Sequence, residues 1–164
     1  MNELAAQERA QQFAKARNIT LNIGHPLGSG IDGCVWPSDR STAVKVFERQ
    51  HNYLLERECY QRLQVAGVTD LRGFAVPELV GFDNDLLVVE MTIVSPPFLL
   101  DFGKVHFDRR PEFSAETLSE WRESMQELFE QHWPEVRLLL AALERYGIYY
   151  LDAKPGNIMF APSP

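Results

Sequence analysis

A chain of 164 residues with 45% hydrophobic and 11% aromatic content has room for one compact core and little for a second domain. Its formal net charge of -7 argues against non-specific attraction to nucleic acid or to an anionic membrane surface. The two cysteines, Cys34 and Cys59, stand in no metal-ligand spacing and suit a reducing compartment; with no signal-like apolar core and no run of about 18 apolar residues, a soluble, cytoplasmic protein is expected.

Glu3 to Arg17 is rich in strong helix formers, with Leu4 and Phe13 as sparse apolar contacts, and predicts a weakly amphipathic leading helix. Ile19 to Leu27, Cys34 to Trp36 and Ser41 to Phe47 are short runs separated by Gly, Pro, Ser and Asp, the pattern of an antiparallel meander. Tyr53 to Val65 alternates apolar and charged positions at helical spacing, with Gly67 as its stop. Leu79 to Phe82 and Leu86 to Val94 flank an Asp83-Asn84-Asp85 turn and complete a sheet of about five strands. Ser95 to Pro111 reads as a loop that divides residues 1–94 from 95–164. Ser114 with Thr117 caps a helix through Trp121, Leu128 and Phe129, and a second helix after Pro134 carries Val136, Leu139, Leu140, Leu143 and Tyr146 to Gly147.

Three signals in this frame carry chemistry. Gly28-Ser29-Gly30-Ile31-Asp32-Gly33-Cys34-Val35 is a G-x-G-x-x-G-x-V run that continues into a strand. In a dinucleotide fold these glycines would open a helix; here they suit a hairpin whose backbone amides can approach phosphate oxygens. Ala43-Val44-Lys45-Val46 sets a lysine in an apolar strand, where an ammonium needs a carboxylate partner to stay ionised. Glu58 on the following helix is the favoured partner and Glu56 the alternative. Asp152-Ala153-Lys154-Pro155-Gly156-Asn157 follows a helix and is the most specific of the three. Any one of these residues alone would pass for a turn former, a snorkelling lysine or a flexible hairpin.

In this order the three signals resemble the protein-kinase superfamily. The resemblance implies an α+β, protein-kinase-like fold. Residues 1–94 would form the nucleotide-binding lobe, a five-stranded antiparallel sheet with one helix behind the leading helix. Residues 95–164 would form the hinge and a reduced, mostly helical second lobe. It implies ATP and Mg²⁺ as cofactors. Gly28, Ser29, Gly30, Gly33, Val35 and Ala43 would surround the nucleotide, and Lys45 with Glu58 would hold its α- and β-phosphates. Val89 would be the gatekeeper, with the Glu90 carbonyl and the Thr92 amide facing adenine. Asp152 would take the acceptor proton, Lys154 would neutralise the transferring phosphate, and Asn157 would ligate metal.

Two departures bear on activity. Tyr150-Leu151-Asp152 stands where the family has H-R-D, and nothing after Asn157 supplies the D-F-G whose Asp holds Mg²⁺. A literal Asp101-Phe102-Gly103 precedes the loop; a three-residue match is cheap, so it reads as linker. The sharper alternative is that this segment folds back and Asp101 supplies the missing metal carboxylate. Three functions follow: a phosphotransferase acting on a Ser/Thr hydroxyl, a pseudokinase that binds nucleotide or a protein partner without turnover, and a small-molecule phosphotransferase, since Pro155-Gly156-Asn157 is similar to the loop of antibiotic kinases. A shortened second lobe also leaves apolar surface that a second copy could cover.

Overall fold

The computed structural model describes residues 2–30, 32–151 and 153–161. Helix α1 spans Glu3–Arg17, started by the Asn2 side chain, which accepts from the amides of Leu4 and Ala5, and ended by Asn18 in the left-handed region. Its buried stripe is Ala6, Ala10, Phe13 and Ala14. Three small side chains let the helix backbone lie close on the sheet, whereas the expected contact Leu4 is 66% exposed.

The chain then forms β1 (Gly28–Ser29), β2 (Gly33–Pro37), β3 (Thr42–Phe47), α2 (Gln50–Val65), β4 (Asp70–Leu71), β5 (Phe74–Ala75), β6 (Leu79–Asp83) and β7 (Val88–Thr92). Strands β1, β2, β3, β7 and β6 make, in that order, a five-stranded sheet whose neighbours are all antiparallel. The strand expected over residues 19–27 does not form. Only an isolated bridge, Leu21 to Ser38, joins it to the sheet, because Asn22, Gly24 and Pro26 favour a turn and the His25 amide closes back on the Asn22 carbonyl.

Alternation along β3 and β7 sorts side chains to two faces. Val44, Val46 and Val88 pack with Trp36 against α1. Ala43, Phe47, Val89 and Met91 join the larger core with α2. Helix α2 buries Tyr53, Glu56, Cys59, Tyr60 and Leu63, positions three or four apart that share one stripe. It stops where Gly67 adopts a φ of 68°, a conformation glycine reaches without a Cβ penalty.

The segment expected to be a loop carries two short strands, β8 (Phe98–Leu99) and β9 (Val105–Phe107), after a cis Pro96–Pro97 bond. Helices α3 (Ala115–Phe129) and α4 (Trp133–Glu144) follow, then β10 (Ile148–Tyr150) and β11 (Ile158–Met159). Ser114 caps α3 by accepting from the Thr117 amide, as its sequence predicts. Strand β8 pairs antiparallel with β11 and parallel with β5, while β9 pairs antiparallel with β10. These pairings, made far along the chain, carry residues 95–107 back against the strands that flank the 151–157 loop. A single core cluster runs from Phe47, Tyr60 and Leu63 through Phe102 to Leu139, Leu143 and Ile158.

Candidate active site

The glycine run forms the expected hairpin: Gly28 faces Val35 and Ser29 faces Cys34 across β1 and β2, and the Gly30 amide donates to the Gly33 carbonyl. Its glycines have different reasons to be glycine. A Cβ on Gly33 would lie 2.5 Å from the Val46 carbonyl oxygen, whereas one on Gly28 or Gly30 would meet nothing within 4 Å. Gly33 is thus required by packing on β3, and Gly28 and Gly30 leave open space over the cleft. Ile31, inside the run, lies outside the described residues.

Beneath the hairpin is a cleft of about 820 Å³. Among the predicted site residues Gly28, Ser29, Gly30, Gly33, Val35, Ala43, Lys45, Thr92, Asp101 and Lys154 line it. At its floor Lys45 Nζ donates to Glu56 Oε2 at 2.6 Å and to Asp101 Oδ1 at 3.0 Å. The expected partner Glu58 is corrected to Glu56: Glu58 sits off the buried stripe and accepts from Arg62 at 2.8 Å. Burial alone would lower the pKa of Lys45, but the charges and hydrogen bonds of Glu56 and Asp101 outweigh it and raise the pKa above its ordinary value. Glu56 rises to about 7, pushed first by burial, opposed by the Lys45 charge and pushed further by Asp101. Asp101 goes the other way. Burial would raise it, yet the Lys45 ammonium, with help from Lys154, holds it below the usual carboxylate range. Asp101 is therefore the carboxylate that stays ionised, while Glu56 is poised near neutrality.

Asp101-Phe102-Gly103 is not the chance linker expected. Asp101 has a φ of 66°, a region that Asp tolerates better than most residues. Phe102 is fully buried, its ring edge-on to Tyr60 of α2 at 5.3 Å and tilted on Tyr150 at 5.7 Å. Gly103 sits so close that a Cβ would lie 3.7 Å from Asp101 Oδ1 and 3.9 Å from Glu56 Oε2. The β8–β11 register sets Leu99 opposite Ile158, and the Leu100 amide donates to the Asn157 carbonyl at 2.9 Å. That register places Asn157 beside the strand end that delivers Asp101. The Asn157 side chain is buried and donates through Nδ2 to the Tyr150 hydroxyl at 3.0 Å. The Lys154 side chain is exposed and makes no hydrogen bond or ion pair among the described residues, while its carbonyl accepts from the amides of Asn157 and Ile158 at 3.0 and 3.1 Å. Asp152 lies outside the described residues.

Of the expected hinge residues Val89, Glu90 and Thr92, Thr92 alone lines the cleft. Val89 is fully buried in the core and Glu90 faces α1, where its carboxylate accepts from Arg17 Nε and Thr42 Oγ1, both at 2.7 Å. Glu90 is paired with Val44 on one side and Gly81 on the other, so its main chain belongs to the sheet. The Thr92 amide donates to the Glu78 carbonyl at 3.0 Å and does not face a base. Met91, Thr92, Ile93 and Val94 line the cleft instead. Strand alternation could have signalled that Glu90 points to the α1 face, but not the choice between Val89 and Met91, which share the other face: Met91 and its partner Ala43 both line the cleft, whereas of Val89 and Lys45 only Lys45 does. Helix phase could likewise have selected Glu56, which lies on the stripe with Tyr53, Tyr60 and Leu63.

No group of three or more His, Cys, Asp or Glu suited to a metal occurs among the described residues. Asp101 lines the cleft and offers a carboxylate oxygen of the kind Mg²⁺ takes alongside phosphate and water, whereas the buried Asn157 is not among the residues lining it. No helix of the described residues is long and apolar enough to cross a membrane.

No protein-family model matches the sequence, and no curated protein matches it significantly. Among solved structures, one of a ternary complex of streptomycin, ATP and APH(2'')-IIa is similar at 14% identity with a TM-score of 0.42, covering 82% of this chain and 40% of that one. The chain thus spans less than half the length of that protein, and so loose an overlap leaves function to the site's own geometry.

Proposed function

We propose that this protein binds Mg-ATP in the cleft beneath the glycine hairpin and transfers its terminal phosphoryl group to a hydroxyl, a Ser/Thr side chain if the kinase resemblance extends to the acceptor. One observation carries the reading: Lys45 Nζ is held between Glu56 and Asp101 at the floor of that cleft, with Asn157 tied to the Asp101 strand end. A lysine buried between two carboxylates serves no packing need that a hydrophobic residue would not meet as well, whereas a fixed ammonium facing a glycine-roofed cavity is suited to phosphate oxygens. Pairing of β8 with β11 and β9 with β10 supports assigning Asp101 the metal role that the kinase pattern gives to an Asp after the loop. In this chain the same parts meet in a different order.

In this reading Glu56 and Asp101 fix the Lys45 ammonium, which holds the α- and β-phosphates. Asp101, with Asn157, would hold Mg²⁺, whose charge would offset that of the phosphates. Lys154, which lines the cleft, would supply a further positive charge, and Asp152 would accept the hydroxyl proton.

Calorimetric titration with ATP, with and without Mg²⁺, tests the proposal. Wild type is expected to bind more tightly with Mg²⁺, Lys45→Ala to lose binding at least tenfold, and Asp101→Asn to lose the Mg²⁺ enhancement. Mg²⁺-enhanced binding that persists unchanged in Asp101→Asn would remove Asp101 from the metal site, and no ATP binding by the wild type would overturn the reading.

A further inference from the structure

A second cavity, of about 530 Å³, opens between α3, α4 and the chain leading from β9 into α3. Its volume is in the range that holds a small molecule. Among the described residues Arg110, Arg122 and Arg137 supply its positive charge, against Glu144 as the one lining carboxylate, and Trp121, Trp133 and Tyr149 much of its wall. Arg110 donates to both oxygens of Glu144 at 2.6 Å and lies over the Tyr149 ring at 5.9 Å. The side chains of Arg122 and Arg137 make no hydrogen bond or ion pair among the described residues, and both residues are exposed. A chain with a net charge of -7 has therefore gathered three guanidinium groups around one aromatic cavity and left two of them unpaired. The planar guanidinium fork matches carboxylate and phosphate oxygens and stacks on aromatic faces. The indoles of Trp121 and Trp133 meet edge-on at 5.8 Å, and Trp121 Nε1 donates to the Leu151 carbonyl at 3.3 Å, so the aromatic wall is anchored.

We propose that this cavity binds a small molecule bearing a carboxylate or phosphate on an aromatic body, with Arg122 and Arg137 on the anion and the ring against Trp121. Such a site rejects polycations, since the unpaired arginines would repel them. Leu151 lines the cavity, so the ligand borders the 151–157 loop. The binding claim itself stands on the cavity and does not require phosphoryl transfer.

Tryptophan fluorescence reads the site directly, because two of the three tryptophans line it and the third, Trp36, is buried under α1. The full chain is titrated with phenyl phosphate, benzoate and benzylamine. A saturable change with phenyl phosphate, benzoate or both is expected and names the anion preferred; benzylamine is expected to give none. The double substitution R122Q/R137Q is expected to weaken binding at least tenfold. Lys45→Ala is expected to leave it unchanged, which separates this site from the ATP cleft and its failure from a failure of the ATP reading. Should the double variant not fold, salt decides: affinity of the wild type is expected to fall as ionic strength rises. No saturable response to either anion, an equal response to benzylamine, undiminished affinity in R122Q/R137Q, or salt-independent binding would each overturn the proposal.

Discussion

Glu56 carries the clearest pH dependence in the molecule. Its carboxyl is raised from an ordinary 4.5 to about 7, burial first among the causes, so between those values the folded chain holds a proton that the unfolded chain has lost. Stability from this group is complete below about pH 4.5 and declines as pH rises toward 7, above which it is flat. Gln cannot titrate. The melting temperature of Glu56→Gln minus that of wild type is therefore expected to move upward from pH 4.5 to 8, and a flat or falling difference would contradict the raised carboxyl. Tyr60 offers a second test at this scale. Its buried hydroxyl reaches no partner at full hydrogen-bond geometry, although the Asp101 backbone lies close enough to bear on it, so Tyr60→Phe removes a poorly satisfied polar group. Thermal denaturation is expected to show unchanged or raised stability, by up to about 1 kcal/mol.

At the scale of elements, the glycine hairpin separates two requirements that look alike in the sequence. Gly33→Ala would drive a methyl group to within 2.5 Å of the Val46 carbonyl oxygen, backbone that cannot move without disturbing the β2–β3 ladder. Denaturation is expected to show a loss of about 1–3 kcal/mol. Gly28→Ala faces open space, so its stability is expected to stay within about 1 kcal/mol of wild type. If the cleft receives phosphates, the added methyl group is expected to cost ATP affinity. Helix α2 is tied to the strand after Asp101 as well as to Lys45: Arg62 donates to both oxygens of Asp108, at 2.6 and 2.8 Å, and stacks over Phe107 at 4.3 Å. Hydrogen bonding to Arg62 holds the Asp108 carboxyl below its usual range. These contacts fix the helix phase that aims Glu56 at the cleft.

At the scale of the molecule, the sheet and the helical half share one core rather than meeting at an interface. Phe47, Tyr60 and Leu63 belong to the same buried cluster as Leu139, Leu143 and Ile158, with Phe102 packed between Tyr60 and Tyr150. Cutting at residue 94 would strip α2 of the residues that pack beyond it, Phe102 on Tyr60 among them, and leave that part of the core in water. A fragment of residues 1–94 is accordingly expected to show no cooperative melting by circular dichroism, whereas the whole chain melts in one transition; a cooperative fragment would show that the first half holds its own core.

The helices were legible because periodicity and caps are local: α1 has the span its composition predicts, and Ser114 and Gly67 mark helix ends as their chemistry requires. The glycine hairpin, the Lys45 strand and five-strand order of magnitude were legible for the same reason. The sequence by itself therefore determined an α+β chain with a lysine needing a carboxylate beneath a glycine-rich turn. Which carboxylate was a matter of helix phase, settled by the stripe that packs Tyr53, Tyr60 and Leu63. Strands β8 to β11 are two or three residues long, too short to show a period, and are stabilised by partners far along the chain. Only the tertiary structure could decide that Asp101 meets Lys45, because that contact depends on strand register between distant segments and leaves no local trace.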